Sequence, residues 1–232
     1  MRAYFASTVL ILGVAACGGS NLDPGAGNDP GTGTATLVVV GTARASSQAV
    51  NAKLDTDFNT AFSVRVSLNG QTVTTGTVTI TSASGKVPLT YRLDTFWTGT
   101  APTYDEVYTL DIVSGPDKAE GIRVDGPDIH TFSTPTEGAS LDSTMANEIK
   151  WNRRDMADSA ELRGESFNPI TIPDSGSYSL TAGSLKADQT VPRQNLLRLS
   201  RTNSVVPKGA TGDSSWKVTI ENDLDVLAEP LP

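Results

Sequence analysis

The chain has 232 residues, enough for one large unit or two domains of about 100 residues each, and either size can bury a core. Its 18 basic residues are outnumbered by 26 acidic ones and no segment is basic, which argues against a nucleic-acid partner, because phosphate backbones are held by clustered Lys and Arg. One cysteine, Cys17, excludes an intrachain disulfide, and one histidine, His130, leaves little material for a metal or nucleophile site.

Residues 1 to 16 have the parts of an export signal: a charge at Arg2, an apolar run from Tyr4 to Ala16, and small residues at the end. The run is shorter than the roughly 20 apolar residues that span a bilayer, so it targets rather than anchors. The stretch Val14-Ala15-Ala16-Cys17, followed by Gly18-Gly19-Ser20, resembles the lipobox of bacterial lipoproteins. That resemblance implies cleavage between Ala16 and Cys17, a diacylglyceryl group on the Cys17 sulfur, and attachment to a membrane through the new N-terminus. Acyl chains at about 0.8 kcal/mol per buried methylene make such an anchor durable. Gly18, where an Asp would retain the lipoprotein at the inner membrane, implies the outer membrane in a host that has one.

Residues 17–34 read as the lipidated cysteine and a flexible linker, since Gly, Asn, Asp, Pro, Ser and Thr dominate and bury little apolar surface. A coil of that length would hold the body roughly 20 to 25 Å from the lipid.

Residues 35–133 form a first predicted unit. Short alternating or β-branched runs occur at Thr36 to Val40, Ala49 to Leu54, Phe62 to Leu68, Thr72 to Thr81, Val87 to Leu93, Val107 to Val113 and Gly121 to Val124. Turn formers separate them, among them Asn69-Gly70, Ser84-Gly85 and Ser114-Gly115-Pro116-Asp117. In Phe62-Ser-Val-Arg-Val-Ser-Leu68 every second residue is apolar, which buries one face and wets the other. About seven strands in about 100 residues predict a sandwich of immunoglobulin type.

Residues 134–232 form the second predicted unit, after the Pro-rich junction at Ser133 to Gly138, with strands at Asn147 to Trp151, Ala160 to Phe167, Ser177 to Leu180, Leu196 to Ser200 and Ser215 to Ile220. Met145, Ile149, Trp151, Met156 and Leu162 do not hold a 3.6 period, so this stretch reads as strand, loop, strand rather than helix. Trp151 and Trp216 sit in alternating runs and are expected in the core. The segment Asp174-Ser-Gly176-Ser-Tyr178-Ser-Leu180 resembles the Asp-x-Gly-x-Tyr-x-Cys stretch of immunoglobulin domains, with Leu180 at the Cys position. A disulfide-free fibronectin type III-like module is the nearer comparison; it implies that Gly176 permits a turn and that the Tyr178 hydroxyl anchors a corner.

The fold class expected is therefore all-β, as two immunoglobulin-like sandwiches or one extended sandwich unit. Chemistry is sparse. His130, in Asp128-Ile-His-Thr-Phe132, is expected near solvent at the junction. Ser214 and Lys217 have a Ser-x-x-Lys spacing, but on a strand an offset of three sends them to opposite faces. Asp55, Asp57 and Asn59 match the first ligand positions of a calcium loop, although Thr60 and Val66 stand where the Gly and bidentate Glu belong, and ordinary loop carboxylates are expected. Phe96, Trp97 and Tyr104 make the densest aromatic segment, where exposed rings would stack on sugars.

No cofactor is expected. The leading functional reading is a non-enzymatic, lipid-anchored envelope protein with a structural, adhesion or interaction role and a protein or glycan partner at the cell surface. A carbohydrate-binding lipoprotein using Phe96, Trp97 and Tyr104 is the alternative, and an envelope polysaccharide hydrolase with paired carboxylates is a third reading.

Overall fold

The computed structural model describes residues 22–92 and 96–231, and it is all-β apart from one short 3-10 turn at Asp55–Asp57. In chain order the strands are β1 (Thr32–Gly33), β2 (Leu37–Val50), β3 (Phe58–Leu68), β4 (Gln71–Thr72), β5 (Thr77–Ser82), β6 (Gly85–Pro88), β7 (Thr90–Arg92), β8 (Phe96–Ala101) and β9 (Val107–Ser114). They continue with β10 (Asp117–Asp125), β11 (Thr131–Thr134), β12 (Ser140–Leu141), β13 (Asn147–Asn152), β14 (Ser159–Gly164), β15 (Ile170–Ile172), β16 (Ser177–Leu180), β17 (Arg193–Val205) and β18 (Ser215–Ala228).

One large sheet dominates. It runs β15-β14-β17-β18-β2-β3-β8-β7, with β12 beside β18 and β4 beside β3. A five-stranded sheet, β1-β10-β9-β5-β6, covers one part of it, and a three-stranded sheet, β11-β13-β16, covers another. Two apolar cores result. The first joins Val78, Leu110, Ile112 and Ile122 of the five-stranded sheet to Leu37, Val64, Trp97 and Trp216 of the large one. The second joins Ile149, Trp151 and Leu180 to Leu162, Leu197, Leu199, Leu224 and Val226.

Period-two alternation explains how one strand serves both. Along β18, Trp216, Val218 and Ile220 enter the first core, while Leu224, Val226 and Ala228, on the same face, enter the second. Between them Asn222 is also buried, and it separates the two apolar stretches. The division after residue 133 therefore separates strands that share a sheet: β18 pairs in parallel with β2, from Val40–Ser215 to Val50–Asp223. Gly41 on β2 lies where the alternation calls for an inward side chain, because a Cβ there would stand 2.8 Å from the Trp216 ring.

Several predicted boundaries shift. Ala49 to Leu54 is not a strand: β2 ends at Val50, Asn51 turns with φ of 48°, and Leu54 is exposed. Thr72 to Thr81 is interrupted at Gly76, whose φ is 112°, and Ala160 to Phe167 stops at Gly164. Strands β8, β11 and β15 were not expected; β8 and β11 lack apolar alternation, and β15, Ile-Thr-Ile, is only three residues long. Met145 to Arg163 is strand, loop and strand, as its broken period implies. The stretch read as a flexible linker is paired in its second half, where Asp29 bridges Arg123 and β1 pairs with β10.

Candidate functional site

Where the two cores meet, the interior turns polar. Arg201 on β17 follows Leu197 and Leu199 on the same face and has no exposed surface. Its Nε donates to Asp174 at 3.0 Å, and its terminal nitrogens donate to the Asp128 carboxylate and carbonyl and to the Asp155 carbonyl. Asp174 also accepts from the Trp151 indole at 3.0 Å and from the Ala157 amide at 2.7 Å. Burial works against charge on Asp128, yet the Arg154 amide and the Arg201 guanidinium hold its carboxyl below the ordinary carboxylate range.

His130 lies inside this layer, not near solvent as expected. The alternation that turned it away from Ile129 turns it toward β17, where Nε2 faces the Leu199 carbonyl at 3.1 Å. Since that oxygen only accepts, Nε2 carries the proton. Burial, aided by the Arg201 charge, pushes its pKa down to about 3. Asn222 closes the layer by bonding both backbone groups of Ala52 and the His130 carbonyl.

Against this waist lies the N-terminal segment. Arg123 on β10, mostly buried, donates to the Gly27 and Asp23 carbonyls, each at 2.8 Å, and pairs with Asp125. Asp125 in turn accepts from the Gly25 and Gly27 amides at 2.9 and 2.8 Å. A cleft of about 170 Å³ opens beside them, lined by Pro24, Glu106, Asp128, Arg154, Met156 and Asn203 among others.

The outer face of the large sheet carries a groove of about 310 Å³ lined by Thr42, Thr202, Thr219, Ser159 and Glu161, with Glu221 at its base. Burial raises the cost of charge on Glu221, but Arg44 at 2.5 Å and Ser200 at 3.0 Å hold its pKa below the ordinary value. A buried carboxylate already matched by a cation is a structural ion pair, and threonine and serine side chains make up much of the rest of the groove.

The remaining predicted residues fall as follows. Ala16 and Cys17 lie outside the described residues. The sugar-stacking reading of Phe96, Trp97 and Tyr104 does not hold, because two of the three rings are inside the first core. Trp97 packs edge-on against Tyr91 and donates its indole hydrogen to the Val73 carbonyl, while Tyr104 donates to the Pro127 carbonyl at 2.6 Å. Phe96 is half-buried beneath the Arg65 guanidinium. Asp55 and Asp57 belong to the short turn, where Asp57 accepts from the Lys53 and Leu54 amides, which lowers its pKa; Asn59 sits on β3 opposite Ser46. These bonds identify turn carboxylates rather than cation ligands. Ser214 accepts from the Val39 amide and is buried, whereas Lys217 is exposed. Trp151 and Trp216 are core residues. Gly176 has a φ of 87° at the turn before β16, and Tyr178 packs partly on the second core. Of the residues missed by sequence reasoning, Arg201 and Asn222 are polar positions inside apolar alternations, which was their available signal, whereas Arg123 takes the polar position between Ile122 and Val124, and Asp128 and Asp174 lie in loops.

Stacked, mostly antiparallel sheets around two cores define the class as all-β, of layered sheets. No protein-family model matches the chain, and no curated protein matches it in sequence. Among solved structures it is similar to one concerned with host cell surface retention of a 1.5-MDa bacterial ice-binding adhesin, at 14% identity over 84% of this chain, with a TM-score of 0.26; the match spans 66% of that chain. It is also similar to a two-domain fibronectin type III segment of chicken tenascin, at 17% identity over 71% of this chain and 91% of that one, TM-score 0.22. The D0–D1 domains of intimin match at 14% identity over 81% and 99%, TM-score 0.24. Superpositions this loose carry no argument about function, and the fold class rests on the sheets themselves.

Proposed function

We propose that this chain is a lipid-anchored cell-envelope protein with a structural, adhesion or interaction role rather than a catalytic one. The motif Val14-Ala15-Ala16-Cys17 supports the anchor, and Gly18 supports the outer membrane where the host has one. The observation that carries the structural role is the large sheet: β2, β17 and β18, of 13 or 14 residues each, run about 45 Å side by side, and β18 lines both cores while β2 lines the first and β17 chiefly the second. Such a body suits a support that presents its polar faces to a protein or glycan at the cell surface.

Burial of Trp97 and Tyr104 removes the motive for a sugar-stacking loop. The buried carboxylates Asp128, Asp174 and Glu221 are each matched by an arginine, which disfavours a hydrolytic pair. Metabolic labelling with radioactive palmitate tests the anchor. Label should follow the wild-type protein into the membrane fraction and be lost, with release of the protein, in Cys17→Ser. Unlabelled wild type, or label retained in the variant, contradicts it.

A further inference from the structure

The segment ahead of β2 is built into the body although its composition suits a linker. It occupies a slot between β10 and the loop of residues 206–212. Beyond the Arg123 and Asp125 bonds, the Lys208 amide donates to the Pro30 carbonyl at 2.9 Å and the Ala35 amide to the Gly209 carbonyl at 3.0 Å. The walls leave no room for side chains: a Cβ on Gly33 would overlap the Lys118 carbonyl oxygen, and one on Gly209 would overlap Thr32. Yet no side chain from residues 23–36 enters either core. The strap is held by polar contacts alone, and a row of such contacts yields bond by bond when one end is pulled.

We propose that residues 23–36 form a load-releasable tether, docked at rest and peeled from β10 when force acts through Cys17. This rests on the reading of Cys17 as the membrane anchor. While the strap is docked, six peptide units separate Cys17 from Asp23, and at about 3.5 Å each they hold the waist within roughly 20 Å of the lipid. Peeling frees fourteen more, which adds up to about 50 Å of contour before the cores are stretched. The order of events follows from the bonding. Tension meets the Arg123 and Asp125 contacts first, one or two at a time, whereas β2 is held along its length by β18 on one side and β3 on the other. The strap yields, and the sheet holds.

Optical tweezers on the full 232-residue chain test this without any lipid. Cys17, the sole thiol, takes one handle, and a peptide ligated after Pro232 takes the other. The expected trace shows an early, reversible step of up to about 50 Å at low force, then rupture of the body at higher force. Arg123→Met, which removes both guanidinium bonds to the strap, should lower the force of the early step and leave the later rupture. Gly33→Val, whose side chain would overlap the Lys118 carbonyl and so undock the strap while leaving every residue of β10 in place, should do the same should Arg123→Met fail to fold. A wild-type trace with no early step, or an early step unchanged in Gly33→Val, overturns the proposal. Neither result bears on palmitate labelling, and a failed labelling experiment would remove the membrane role while leaving the step in place.

Discussion

Arg201 has no exposed surface, and burying a guanidinium is costly unless every donor finds an acceptor. Here Asp128, Asp174 and the Asp155 carbonyl supply them. Arg201→Met would leave two buried carboxylates without their cation. The expected loss is about 3 to 5 kcal/mol of unfolding free energy, read from urea denaturation, and a loss under 1 kcal/mol would show that the layer is solvated. His130 makes the pH dependence specific. Its pKa falls from an ordinary 6.5 to about 3 in the fold, so between those values the unfolded chain takes up a proton that the folded one refuses. Stability is therefore full above pH 6.5 and declines as pH drops toward 3, by up to roughly 5 kcal/mol from this group. The depressed carboxyls of Asp128 and Glu221 act in the same direction at lower pH, since protonation discharges pairs formed only in the fold. Melting temperatures measured from pH 7 to pH 4 should fall less steeply in His130→Gln than in the wild type; parallel curves would contradict the assignment.

At the level of the strand, β18 shows both what a sequence reveals and what it hides. Trp216, Val218 and Ile220 alternate plainly, so the start of the strand was legible, but it runs on through Leu224 and Val226 to Ala228, past the predicted end at Ile220. Its neighbour was not legible. The partner β2 lies some 170 residues earlier, in parallel, and no local pattern encodes that pairing. Asn222 interrupts the apolar series, and a polar residue in such a series reads as a strand end when its acceptors, the Ala52 and His130 carbonyls, are remote in sequence. Substituting it tests its role: Asn222→Leu would strand those groups in a dry interior at a cost of roughly 2 to 4 kcal/mol. Faster hydrogen exchange at the Ala52 amide would localise the damage, and unchanged exchange there would contradict the bond. The strap was hidden for a related reason. Its own residues bury nothing, so composition predicts disorder, while the order comes from Arg123, Asp125 and the Gly209 loop. Trp97 misled in the opposite way, since a loop-like aromatic cluster was in fact β8 packed against Tyr91.

For the molecule as a whole, the question is whether two cores behave as two domains or as one body. Domains joined by a linker unfold separately, but here β18 lines both cores and pairs with β2 on one side and β17 on the other, so neither core opens without disturbing the other, and the hydrogen-bonded layer around Arg201 and Asn222 fills the space between them. The proposed support between a membrane and a partner would need that coupling, which the shared sheet supplies. Differential scanning calorimetry on the full chain tests it most directly. A single transition, with calorimetric and van't Hoff enthalpies in agreement, is expected; two resolved transitions, each with the enthalpy of about half the chain, would contradict the shared sheet as the basis of the protein's role.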